Sequence, residues 1–222
     1  SEAPSAKITG NHLLAQSDVG IEAAGDGVNV SGNVVAAGSD GVRVGGNGST
    51  VTQNRIGLEN GSDTVTGNGG VGLAIEGGKV VVSKNVIAGT GAEGIKVNAG
   101  AKATLRSNRV WETNGEAIDV ASGPDAPDLA AAVRSGSGED TRTTLLLKDL
   151  PEGDAGTIEV FANSNCASSE AQFLMDINRT KTATETARII QIKGASTRDH
   201  FTVTYTDRDG NTRVASYAVS KA

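Results

Sequence analysis

Four charged residues, Glu22, Arg43, Lys96 and Asp119, each stand between two apolar ones, in Ile21-Glu-Ala23, Val42-Arg-Val44, Ile95-Lys-Val97 and Ile118-Asp-Val120. A fifth phrase, Leu73-Ala-Ile75, carries alanine at the same place, and the five phrases begin 21, 31, 22 and 23 residues apart. If residues at this interval stack, the charged positions form one outward row, flanked by Asp40, Glu93 and Glu116, with acid and base about 5 Å apart on adjacent turns. Proton donors and acceptors at that separation are what cleavage of a long acidic sugar chain requires. The same row is also what a solvated charge ladder, stabilising strand pairing by a few tenths of a kcal/mol per pair, would look like.

The elements that would position this row are short and repeated. An apolar-x-x-Asn-x-apolar phrase recurs at Asn11, Asn33, Asn54, Asn85 and Asn108, at intervals of 22, 21, 31 and 23 residues. It alternates with the charged phrase, which follows Gly20, Gly41, Gly72, Gly94 or Ala117. Both phrases stretch together between Ile56 and Gly72, which places an insertion of about nine residues there. The apolar pieces are three to five residues long and alternating, the pattern of strands and not of helices. One turn of a parallel coil per repeat follows, with Ile21, Val42, Leu73, Ile95 and Ile118 stacked inward. An asparagine between two strands tolerates a left-handed bend, and its amide can bond to neighbouring rungs, so the five asparagines read as a structural ladder. The glycines ahead of the charged phrase read as serving the turn. A leucine-rich repeat shares the period, but only five leucines precede Gly123 and no helix-forming segment interrupts the rungs. A left-handed coil of hexapeptides would need multiples of six.

Composition divides the chain. Of 30 glycines, 24 lie at or before Gly123, whereas all three Phe and both Tyr follow it, and Pro124 and Pro127 mark the join. The expected domains are a β-helix over 1–122, a linker over 123–127 and a β-sandwich over 128–222. The net charge of −6 is spread over both halves with no basic face, which argues against nucleic acid. No run of about 18 apolar residues predicts insertion into a membrane. Cys166 is the single cysteine, so neither an internal disulfide nor a cysteine metal cluster is expected. No cofactor and no metal is expected. The chain begins Ser1-Glu-Ala-Pro-Ser without a charged-then-apolar leader, and nothing before Ile8 is suited to cap the first rung. That N-terminal face is therefore expected to continue into a longer chain or to pack on another molecule.

The rungs resemble those of right-handed parallel β-helix proteins of the pectin-lyase-like class. The insertion Arg55-Ile-Gly-Leu-Glu-Asn-Gly-Ser-Asp-Thr-Val-Thr-Gly-Asn68-Gly-Gly is similar to the extended rung of bacterial secreted proteins of the CSLREA type, with Leu58-Glu59 in place of Thr-Asp. Ile158-Glu-Val-Phe-Ala-Asn-Ser-Asn-Cys166 with Ala171-Gln-Phe-Leu174, and Phe201-Thr-Val-Thr-Tyr-Thr-Asp-Arg-Asp-Gly-Asn-Thr212, resemble the C-terminal module of the same proteins. The resemblance implies architecture and a secreted or cell-surface location. The Asp-Pro-His-Glu phrase of alginate epimerases and the Asn-Thr-Asp, Asp-Asp and Arg-Ile-Lys phrases of polygalacturonases are absent.

After Pro127 longer alternating runs predict seven strands of an antiparallel, immunoglobulin-like sandwich, at Leu129 to Arg134, Thr143 to Leu150, Thr157 to Ala162, Ala171 to Ile177, Ala187 to Ile192, His200 to Thr206 and Arg213 to Val219. Asp207-Arg-Asp-Gly210-Asn reads as a hairpin loop; it lacks the carboxylate spacing of a calcium loop. Both histidines, His12 and His200, are isolated. Trp111, the single tryptophan, could stack on a sugar face or cap the last rung against the sandwich.

The fold read from sequence is thus all-β, a short right-handed parallel β-helix of about five rungs followed by a sandwich. The function read from it is a non-catalytic extracellular scaffold for adhesion, surface assembly or carbohydrate binding, with a polysaccharide or surface protein as partner and Arg43, Lys96, Trp111 and Asp119 as its binding residues. The alternative is a polysaccharide lyase or hydrolase acting on an acidic glycan, with Glu22, Arg43, Lys96 and Asp119 as catalytic candidates.

Overall fold

The computed structural model describes residues 5–121, 127–137, 140–151, 156–163, 171–178, 186–193 and 200–218. The expected linker, apart from Pro127, and Cys166 lie outside them. Fifteen short strands form five rungs. Rung one holds β1 (Lys7–Thr9), β2 (His12–Leu14) and β3 (Ile21–Ala23); rung two holds β4 (Asn29–Ser31), β5 (Val34–Ala36) and β6 (Val42–Val44). Rung three holds β7 (Ser49–Thr52), β8 (Arg55–Ile56) and β9 (Leu73–Ile75); rung four holds β10 (Lys79–Ser83), β11 (Val86–Thr90) and β12 (Ile95–Val97). Rung five holds β13 (Lys102–Arg106), β14 (Arg109–Thr113) and β15 (Ile118–Val120). The first, second and third strands of successive rungs pair in parallel, giving sheets A, B and C.

Register follows the hydrophobic pattern, because a slip of one residue would turn every inward side chain outward. Each sheet contributes one column: Ile8, Val30, Val51, Val82 and Leu105 from sheet A; Leu13, Val35, Ile56, Ile87 and Val110 from sheet B; and Ile21, Val42, Leu73, Ile95 and Ile118 from sheet C. The three columns meet in one aliphatic core. Each fully buried side chain contributes about 1.5–3 kcal/mol relative to exposure. Among the described residues the first rung is the less covered: Ile8 and Leu13 are only partly buried, whereas their neighbours Val30 and Val35 are buried.

The asparagine ladder is present. Asn11, Asn33, Asn54 and Asn85 each donate their backbone N–H and side-chain amide to the Oδ1 of the next asparagine, at 2.9–3.1 Å. The bend itself is made one residue earlier than expected. Gly10, Gly32, Gln53, Lys84 and Ser107 carry the left-handed φ, and the asparagines do not. The glycines ahead of sheet C also serve a purpose other than the expected one. Gly20, Gly41, Gly72 and Gly94 have no positive φ. A Cβ at Gly94 would lie 2.3 Å from Val110 Cγ1 and 2.7 Å from the Ala117 carbonyl, and one at Gly72 2.6 Å from Ile87 Cγ2. They leave room for the core and for the following rung; Ala117, in the last rung, has no rung beyond it to strike.

The insertion forms a lobe outside sheet B. The chain leaves the rung at Gly57, where a Cβ would sit 1.9 Å from the Ala88 carbonyl, and returns at Asn68, which bridges Thr90 in parallel. Thr66 and Gly67 both donate to the Gly57 carbonyl, closing the lobe's neck. Leu58 packs from the lobe against Ala88 and Trp111 on the outer face of sheet B.

The second half holds β16 (Asp128–Ser135), β17 (Arg142–Lys148), β18 (Thr157–Asn163), β19 (Ala171–Asn178), β20 (Arg188–Lys193), β21 (His200–Thr206) and β22 (Thr212–Ala218). They form two antiparallel sheets, β16-β17-β20 and β19-β18-β21-β22, whose buried residues share one core, including Leu145, Leu147, Phe201 and Tyr205. The larger sheet continues sheet B, because β14 pairs antiparallel with β19 at Arg109↔Gln172 and Val110↔Ala171. This half therefore closes the end of the coil. Phe161 and Val214 enter the helical core, and the hairpin at Asp207 docks on sheet A through Thr104 Oγ1, which donates to the Gly210 carbonyl at 2.7 Å.

Candidate functional site

The outward face of sheet C carries the predicted row in the predicted register. Glu22 lies beside Arg43, Arg43 beside Ala74, Ala74 beside Lys96, and Lys96 beside Asp119. A second column runs parallel to it in the turn ahead of the strand. The carbonyls of Asp40, Val71, Glu93 and Glu116 accept in turn from Gly20, Gly41, Gly72 and Gly94.

The two columns pair within rungs, not across them. Arg43 donates to Asp40 Oδ2 through Nε at 2.9 Å and Nη2 at 2.6 Å, and Lys96 Nζ donates to Glu93 Oε1 at 2.9 Å. The acid–base contact expected between adjacent rungs is thus replaced by pairing with turn carboxylates three residues upstream. Asp40 is buried and also accepts from the Val71 N–H at 2.7 Å, so it ties the return of the insertion to rung two.

These bonds set the protonation behaviour. The Glu93 carboxyl is held below its ordinary range, first by its hydrogen bond from Lys96 and then by a backbone N–H. The Lys96 ammonium is held above its ordinary range, first by the bond to Glu93, with Glu93, Asp119 and Glu76 attracting it. The Arg43 guanidinium is raised likewise, by its bond to Asp40 and by the charges of Asp40, Glu76 and Asp18.

Rung five departs from the pattern. Glu116 and Asp119 occupy the acid and base positions, so both are carboxylates, and neither makes a side-chain hydrogen bond or ion pair among the described residues. The nearby cation comes from the second half: Arg213, whose Nη1 donates to the Val120 carbonyl at 3.2 Å. Glu116, Asp119, Thr202 and Arg213 line a cleft of about 290 Å³ with Val120 and Val214 on its walls. Sequence reasoning missed Arg213 and Thr202, since neither carries the 22-residue interval.

Trp111 does not join this face. It lies on the outside of sheet B, 7 % exposed, with the Arg109 guanidinium 4.3 Å above its ring and Leu58 against it. Arg109 and Arg55 both bond to Asp63 in the lobe, which holds that carboxyl below its usual range, Arg55 contributing most. Among the described residues no group of His, Cys, Asp and Glu is arranged to hold a metal, and no helix is long and apolar enough to cross a membrane.

Residues 1–129 match the family model described as the right handed beta helix region. The match covers more than half of the chain, and the stacked parallel sheets agree with it; the protein belongs to the right-handed β-helix family. A search of the curated proteins finds no match.

Proposed function

We propose that the protein is a non-catalytic, secreted or cell-surface β-helix scaffold, and that the outer face of sheet C binds a neutral carbohydrate. The observation that supports the absence of catalysis is pairing: Arg43 and Lys96, the two basic candidates, are each bonded to a carboxylate of their own rung, Asp40 and Glu93. A general acid or base works best with a pKa near the operating pH. Lys96 is pushed above its ordinary range and Glu93 below, each away from neutrality.

The charge of the face supports a neutral ligand. Arg43 and Lys96 are outnumbered by Glu22, Asp40, Glu76, Glu93 and Asp119, so an acidic glycan would meet repulsion. Carboxylates accept hydrogen bonds only, and sugar hydroxyls supply the donors they need.

The C-terminal half supports the resemblance to the CSLREA-type module. Its orders β16-β17-β20 and β19-β18-β21-β22 support an immunoglobulin-like arrangement with the fourth strand on the larger sheet. The partial burial of Ile8 and Leu13 in the first rung supports packing of the N-terminal face on further chain or on another molecule, because strand edges unpaired among the described residues invite pairing.

The test is an array of neutral and acidic oligosaccharides, joined to assays for new reducing ends and for unsaturated uronates. Binding of neutral glycans without turnover is the expected result. Turnover that Lys96→Ala or Asp119→Ala abolishes would show that the face is an active site.

A further inference from the structure

We propose that the cleft between rung five and the second half holds the terminal unit of the bound carbohydrate, so that the protein recognises chain ends and not chain interiors. The inference rests on the carbohydrate-binding reading and adds to it where the chain stops. A polymer lying along sheet C crosses one rung about every 4.8 Å, passing Arg43, Ala74 and Lys96 and arriving at Asp119. Beyond Asp119 the path is closed. Strand β22 stands against β15, Val214 enters the helical core, and Arg213 is fastened to the Val120 carbonyl.

The cleft at that stop has the lining of a ligand site. Its volume of about 290 Å³ lies just below the roughly 300–1,000 Å³ usual for ligand pockets, enough for a single sugar unit, and it lies between two structural units, where such pockets concentrate. Its polar groups converge from both. Glu116 and Asp119 offer acceptors, and Thr202 and Arg213 come from the opposite wall, over the apolar Val120 and Val214. In rungs two and four the same two positions hold an acid bonded to a base, Asp40 with Arg43 and Glu93 with Lys96. In rung five the base is replaced by Asp119, which puts two carboxylate residues, Glu116 and Asp119, in the lining of the cleft. Two acceptors set side by side suit the hydroxyl pair of a sugar end, and two carboxylates against one guanidinium disfavour a terminal uronate.

The experiment prints neutral oligosaccharides of four to six units through their reducing ends on one set of spots and through their non-reducing ends on another. Wild type, Glu116→Gln, Asp119→Asn and Lys96→Ala are applied as full chains, with thermal melts confirming that each is folded. The expected result is binding to one orientation only, with Glu116→Gln and Asp119→Asn each weakening it about tenfold, the effect of losing a hydrogen bond to a charged group. Glu116 is exposed, so its amide variant carries the decision if Asp119→Asn melts early. Equal binding in both orientations, or binding that both amide variants leave intact, overturns end recognition while leaving the scaffold's carbohydrate binding in place. Binding to neither set overturns both.

Discussion

The backbone N–H of Ser107 donates to Glu159 Oε1 at 2.8 Å, a bond that stands in for a rung that does not exist. In every earlier rung the equivalent amide donates to a backbone carbonyl of the next one: Gly10 to Ser31, Gly32 to Thr52, Gln53 to Ser83 and Lys84 to Arg106. At Leu105 the substitute is the Thr212 hydroxyl, at 3.0 Å. Buried backbone donors require partners, and the second half supplies them from side chains. Glu159→Ala should therefore cost about 1–3 kcal/mol by urea denaturation, from the orphaned, half-buried amide, and Glu159→Gln, which keeps an acceptor, should cost less. Equal losses in the two variants would remove the acceptor role.

Asn85, like Asn33 and Asn54, is an inner member of the ladder that bonds to both neighbours. Its Oδ1 accepts twice from Asn54, and its amide donates to Asn108 Oδ1 and to the Val51 carbonyl. Asn85→Asp replaces the donor with a second acceptor facing two oxygens in a fully buried site. It should be more damaging than Asn85→Ala, with each above about 2 kcal/mol in chemical denaturation.

Gly94→Ala tests why the column ahead of sheet C is glycine. The added methyl would press on Val110 and the Ala117 carbonyl and cost about 1–3 kcal/mol. Gly48→Ala, at a left-handed φ of 73° with nothing within 4 Å, should cost about 1–2 kcal/mol through backbone strain alone. Enlarging the facing cavity distinguishes the two causes: Val110→Ala should recover part of the first loss and none of the second.

The lobe over sheet B occupies ten residues, Leu58 to Gly67, where rungs four and five have Gly89 and Glu112 alone. Replacing residues 58–67 with one glycine should leave the coil folded and uncover Trp111. Its emission, the only tryptophan signal in the chain, should shift to longer wavelength. An unshifted spectrum in a folded variant would mean that the lobe does not shield the ring.

The Lys96–Glu93 pair predicts a pH dependence. Glu93 is lowered from 4.5 in the folded chain, so the pair's contribution is present above that value and is lost as pH falls through the lower, folded one. Lys96 is raised from 10.5, so the contribution persists below that value and is lost only as pH rises through the higher, folded one. Lys96→Met should lower stability at pH 7 by at most about 1 kcal/mol, since both side chains meet solvent. Melts taken at descending pH should bring variant and wild type together once Glu93 is protonated.

What could be read in advance followed from periodicity. Stacking of Ile21 on Val42 and of Asn33 on Asn54 is written at the repeat interval, so register, core and ladder were all legible. Each of the seven strands of the second half was legible from alternation alone. Relations that do not share the interval were not. Arg43 finds Asp40 three residues away across a turn, Trp111 is covered by a lobe whose path the sequence does not state, and the antiparallel junction of Val110 with Ala171 joins two patterns of different period. For the same reason Arg213 was invisible as a neighbour of Asp119.

The methyl group of Ala117 has a consequence for how this molecule can grow. Every glycine before it leaves a gap into which another turn fits, and Ala117 does not. Duplicating a segment such as residues 79–101 ahead of it would lengthen the protein, whereas grafting new turns after it would collide at that position. The coil is extensible from within and finished at this end, so relatives of different length are expected to differ by internal copies, each keeping a single alanine beside the closing unit.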